Sequence, residues 1–139
     1  MRRDVYSGFL KLHGEEAFRT LVAAENYAVS LLKVERFEEA KVLLRKAMPV
    51  VQRVIGDCYL TLSMRSIYSK ALCMDHGVTL DDLREAVTTL EEIERISRRV
   101  FGGAHPLTAA IEGDLRKSRA TLRYVREVLR AREAPPQSK

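Results

Sequence analysis

VERFEEAKVLLRKAMPVVQRVIG, residues 34–56, reads as a tight turn followed by one amphipathic helix that stops at a glycine. Phe37, Ala40, Val42, Leu43, Leu44, Ala47, Met48, Val51, Val54 and Ile55 supply a broad apolar face at the 3.6-residue period. Glu38, Glu39, Lys41, Arg45, Lys46 and Arg53 are left for water. Ala40 and Ala47 are seven residues apart on the apolar face, where a neighbouring helix can approach closely. Such a face needs cover from other helices of the chain.

At 139 residues the chain has the length of one domain with a modest core. It is rich in Ala, Leu, Arg and Glu, with 7 Gly and 4 Pro, which favours an all-α fold. No apolar run has the length of a membrane span and no secretory leader is seen, so a cytoplasmic setting is the expectation. Cys58 and Cys73, if on one helix, lie about 22 Å apart and cannot form a disulfide. They read as buried small side chains. The charge is uneven: residues 116–139 carry 8 Lys/Arg against 2 Asp/Glu, whereas residues 1–115 carry 16 against 17. Basicity therefore belongs to the C-terminal segment.

Three segments align with one another: LKLHGEEAFRTL (10–21), RVIGDCYLTL (53–62) and RVFGGAHPLTA (99–109). Each ends an apolar periodic run at Gly14, Gly56 or Gly102 and places a threonine five or six residues later. Glycine just past such a run is a helix stop, because it adopts a left-handed backbone at no steric cost. Helices are predicted over Glu15–Lys33, from the turn at 34–36 to Gly56, over Tyr59–Met74, from Thr79 to Val100–Phe101, and over Leu107–Arg132. Thr79 with Asp81 and Asp82 is a helix start, and His105 before Pro106 is a turn residue capping the next helix. Val5, Phe9 and Leu12 share one face of a short helix ending at Gly14. Pro49 lies inside the 34–56 helix and predicts a kink near Arg45–Pro49, or a split there.

The run Thr20-Leu21, Asn26-Tyr27-Ala28, Leu31-Leu32, Arg36-Phe37-Glu38-Glu39-Ala40, Leu44-Arg45-Lys46-Ala47-Met48, Arg53-Val54-Ile55-Gly56 resembles a tetratricopeptide repeat. The resemblance is to the variety found in kinesin light chains, and GAHPLT (103–108) is similar to that family's turn. The likeness covers roughly residues 10–125 and is weakest in the second unit, where only Ser69 and Ala86 keep the small positions. It implies an all-α fold, a short right-handed α-solenoid of antiparallel helix pairs ending in a long C-terminal capping helix. The implied division is 1–14 as the second helix of a preceding repeat, 15–56 and 57–102 as two units, 103–133 as the helix of a partial third, and 134–139 as a disordered tail.

The resemblance further implies a concave groove lined by the first helix of each unit. Carried over position by position, that groove shows Val22, Glu25, Asn26, Val29 and Lys33, then Ser63, Ser66, Ile67, Lys70 and Met74, then Ala110, Asp114 and Lys117. Asn26 stands where such repeats hydrogen-bond a ligand backbone. A clamp for C-terminal carboxylates is matched at Asn26 and Lys70 alone, and that ligand is not expected. The 34–56 helix, as a second helix, would hold the groove in shape from the convex side.

No phosphate loop, nucleophile elbow or zinc-helix motif occurs, and no catalytic residue, cofactor or metal site is assigned. Asp75, His76, Asp81 and Asp82 read as a solvated linker. Arg116, Arg119, Arg123, Arg126 and Arg130 recur at alternating steps of three and four, one ridge of the last helix. The sequence therefore predicts a non-catalytic scaffold or adaptor that binds a peptide or helix of another protein. The alternatives are a structural subunit of a larger assembly, and RNA or anionic-surface binding through the arginine ridge.

Overall fold

The computed structural model describes residues 18–135. Among the described residues the fold is all-helical: α1 Phe18–Lys33, α2 Phe37–Val54, α3 Tyr59–Met74, α4 Leu80–Phe101 and α5 Pro106–Glu133. Residues 1–17, including Val5, Phe9 and Leu12, and residues 136–139 lie outside the described residues.

Each helix packs on the next, and α3 packs in addition on α1 and α5. Side-chain pairs give the directions. Lys41–Asp75 and Arg45–Tyr68 set α2 antiparallel to α3. Arg65–Glu92 and Tyr68–Glu85 do the same for α3 and α4, and Ser97–Thr108 and Arg119–Glu91 for α4 and α5. Ser66–Asp114 and Cys73–Ser118 rise together, so α3 and α5 run parallel.

Two apolar clusters fill the interior. One joins α1, α2 and α3 through Leu21, Leu31, Phe37, Leu44, Val51 and Met64, with Ala86 reaching in from α4. The other joins α4 and α5 through Leu83, Leu90, Ile93, Ile111, Leu115 and Leu122, with Leu62 of α3 among them. Because α3 is buried from several sides, its Ser66, Ser69 and Thr61 are buried as well as its apolar residues. Ala40 and Ala47 are buried in the first cluster, so the close approach expected on α2 occurs. The stretch 34–56 is thus covered by α1 on one side and α3 on the other.

Two of the turns explain the glycine and threonine of the second and third aligned segments; Gly14 of the first lies outside the described residues. Gly56 and Gly102 have φ of 80° and 93°, where a β-carbon is disfavoured. Thr61 Oγ1 donates to the Gly56 carbonyl at 2.6 Å and Thr108 Oγ1 to the Gly102 carbonyl at 2.9 Å. The threonine of the next helix thereby holds the carbonyl of the glycine that stops the previous one. At Val34–Arg36 the turn is built without glycine. Arg36 N–H donates to Leu31 O and Glu35 N–H to Leu32 O, and Glu35 takes the left-handed φ of 60°.

Thr79 opens α4 through a reciprocal capping box with Asp82. His105 Nδ1 accepts from the Leu107 N–H at 3.0 Å, and Pro106 takes the first helical position.

Several expectations need correction: Lys41, left for water in the sequence, is buried and paired with Glu38 and Asp75, whereas Val42, Val54 and Ile55, placed on the apolar face, are exposed. Of the two outcomes expected at Pro49, a kink or a split, the split does not occur, and α2 runs unbroken through it. Pro49 is exposed, so its ring sits in water and the neighbouring turns hold the helix together. The cysteines are half-buried, not buried: Cys58 precedes the first residue of α3 and Cys73 lies in its last turn.

Candidate functional site

Two surfaces collect the side chains singled out in the sequence. The first runs across α1, α3 and α5. Glu25 of α1 is hydrogen-bonded to the Ser63 hydroxyl of α3. One turn further along α3, Ser66 Oγ donates to Asp114 Oδ2 of α5 at 3.3 Å, and Lys70 Nζ lies 3.7 Å from the same oxygen. Beyond Asp114, a cavity of about 380 Å³ opens between α3 and α5, with Lys70, Met74, Asp114 and Lys117 on its walls. Cys73, Leu90 and Ser118 complete it. The α1–α3 and α3–α5 contacts set these residues side by side along one face.

Glu25 has the more unusual environment. Burial pushes its carboxyl pKa up, and the Ser63 hydrogen bond pulls only partly the other way. Its Oε2 is buried and, among the described residues, has no hydrogen-bond partner. Burial likewise raises the Cys73 thiol pKa, which disfavours the reactive thiolate, and its Sγ lies 3.4 Å from Ser118 Oγ.

Among the residues assigned to this face, Val22, Val29 and Ser63 are half-buried, and Asn26, Lys33, Lys70, Met74, Ala110 and Lys117 are exposed. Ser66 and Ile67 are placed differently, at 7% and 9% exposure. Ile67 belongs to the α1–α3 core, and Ser66 is covered by α5, so neither is presented as the carry-over expected. Cys73, Leu90 and Ser118 were missed. Ser118 follows Asp114 by one helical turn and was open to detection from the sequence; Leu90 comes from α4, and nothing local marks it.

The second surface lies between α4 and α5. Arg119, Arg123, Arg126 and Arg130 line a cleft of about 550 Å³, joined from α4 by Arg84. Arg116, the first residue of the ridge, does not line it. Val87 and Leu122, both buried, form an apolar floor. Arg119 Nη2 is 2.8 Å from Glu91 Oε2, and Arg84 Nη1 is 3.5 Å from Asp81 Oδ1. Among the described residues, Arg123, Arg126 and Arg130 have no ion pair.

The linker residues Asp75, His76, Asp81 and Asp82 turn to separate tasks. Asp75 accepts from Lys41 Nζ at 3.1 Å and from the Gly77 N–H at 3.0 Å. Asp82 caps α4, Asp81 pairs with Arg84, and the His76 ring meets Phe37 edge-on. Among the described residues no group of three or more His, Cys, Asp or Glu is placed to hold a metal ion, and no helix is long and apolar enough to cross a membrane.

Family models, curated proteins and solved structures offer no match to this chain.

Proposed function

We propose that this protein is a non-catalytic protein–protein interaction module of the tetratricopeptide kind. In this reading the pairs α1–α2 and α3–α4, with α5 as the first helix of a third unit, stack as a short right-handed solenoid. The face shared by α1, α3 and α5 is its concave groove. The observation that carries the reading is the polar line of Glu25, Ser63, Ser66 and Asp114 across that face. Its neighbours add charge of both signs, Lys70 and Lys117 around Asp114, and an adjoining cavity with Met74 and Leu90 on its walls. A bound segment would place an apolar side chain in that cavity and meet Lys70 and Lys117 with its polar groups.

Affinity purification from the native source, comparing the unaltered chain with Asn26→Ala and Lys70→Ala, tests the assignment. At least one co-purifying protein is expected to be lost from both variants. Retention of every partner by both would overturn the groove. The second reading, a structural subunit of a larger assembly, draws on the exposed apolar residues Val42, Val54 and Tyr59. Light scattering separates the two, since a stable monomer argues against dependence on neighbours.

A further inference from the structure

The cleft between α4 and α5 is not used by the groove reading, because the two surfaces occupy different faces of α5. By helical periodicity, Asp114, Lys117 and Ser118 point roughly 160° away from Arg119, Arg123, Arg126 and Arg130. We propose that this cleft is a second interaction surface, fitted to an acidic protein segment that sets an apolar side chain between its carboxylates.

Charge is the first argument. Five arginines face two glutamates, Glu91 and Glu127, around the cleft. Glu91 is engaged by Arg119, and no carboxylate among the described residues pairs with Arg123, Arg126 or Arg130. Three guanidinium groups thus keep their fork-like donors for carboxylates from outside. A face that served only as a solvated end would be expected to intersperse both signs and pair them, as Arg98 does with Glu94 and Glu112 at the other end of α4.

Shape is the second. The arginines border a concavity of about 550 Å³ and do not stand on a convex ridge, and Val87 and Leu122 give it an apolar floor. That volume suits one or two side chains, and an apolar one would displace water from the floor while flanking carboxylates meet the arginine walls.

The same features disfavour RNA. Among the described residues no aromatic residue lines the cleft, and Tyr124, although 67% exposed, is not part of it. Glu91 and Glu127 would repel a continuous phosphate backbone, whereas a peptide can space its carboxylates around them.

The test uses the full chain and three fluorescein-labelled probes: a short peptide of glutamates flanking a central leucine, the same peptide with serine for leucine, and a single-stranded RNA. Fluorescence anisotropy at low and physiological salt is expected to show binding of the leucine peptide that weakens as salt rises. The serine peptide should bind several-fold more weakly. The double variant Arg123→Glu, Arg126→Glu should lower affinity by about tenfold or more, and Arg126→Gln by a smaller factor, with helical circular dichroism unchanged. Lys46→Glu and Arg99→Glu make the same charge change elsewhere, at exposed positions of α2 and of the far end of α4, and should leave affinity within about twofold. No binding at low salt overturns the proposal, as does an equal loss in the two control variants. Tighter binding of RNA than of the leucine peptide, lost in the same double variant, overturns the assignment to an acidic protein segment. Equal affinity for the leucine and serine peptides removes the apolar anchor.

Discussion

Glu25 and Asp75 are two carboxylates pushed in opposite directions by their surroundings. Burial raises the Glu25 pKa, so the folded state holds its proton more tightly than the unfolded chain does. Its contribution to stability is therefore best at low pH and is lost as pH rises from about 4.5, the ordinary value, through the folded value. Glu25→Gln should raise the melting temperature at neutral pH by a few degrees, and calorimetry at acidic pH should show the gain shrinking. Asp75 behaves oppositely. The Gly77 N–H and then Lys41 hold its carboxyl below the usual 3.8, so its contribution is present above that value and fades as pH falls further. Lys41 is only 6% exposed. Burial alone would lower its pKa, but Glu38 and Asp75 outweigh that and the net direction is up. At the same scale, Thr108→Val removes a hydroxyl that serves both the Gly102 carbonyl and buried Ser97 Oγ. It should cost about 1–2 kcal/mol in denaturant unfolding.

At the scale of one element, α2 carries a proline that the sequence marks as disruptive and the fold tolerates. Pro49 is exposed, so replacing it loses little packing, while alanine restores the missing N–H of the helix. Pro49→Ala should stabilise by about 2 kcal/mol, part of the proline penalty being offset by the freer unfolded chain. The turn before α2 makes a second case. Glu35 sits at φ 60°, a position that favours glycine, and Glu35→Gly should gain up to about 1 kcal/mol by chemical denaturation. Helix ends in this chain were legible because their signals are local. Thr79 with Asp82, His105 with Pro106, and glycines 56 and 102 each act within a turn of the boundary that they set. The continuity of α2 was not legible, since whether a proline splits a helix depends on how the flanking turns are packed.

For the molecule as a whole, α3 is the helix on which both clusters depend. It touches every other described helix, and its Met64 and Leu62 are fully buried in different clusters. Met64→Ala should cost about 2–5 kcal/mol. Amide hydrogen exchange should find α3 the most protected helix. The end of α5 beyond Leu122 should be the least protected, because Val125 and Val128 are only half-buried and Leu129 is exposed. Comparable protection along the whole of α5 would contradict that gradient.

The sequence by itself determined the helices, their order, most of their ends and their apolar faces, because periodicity and capping are properties of neighbours in the chain. The grouping of Lys70, Asp114 and Lys117 on one candidate surface came from the tetratricopeptide resemblance and not from periodicity or capping. Only the tertiary structure decided that Ile67 and Ser66 are covered, that Leu90 joins Lys70 and Asp114 at one cavity, and that Arg84 stands opposite the arginines of α5. Those facts depend on how two helices distant in sequence are rotated and offset against each other. That register is set by the fit of side chains between helices, which no single helix's pattern contains.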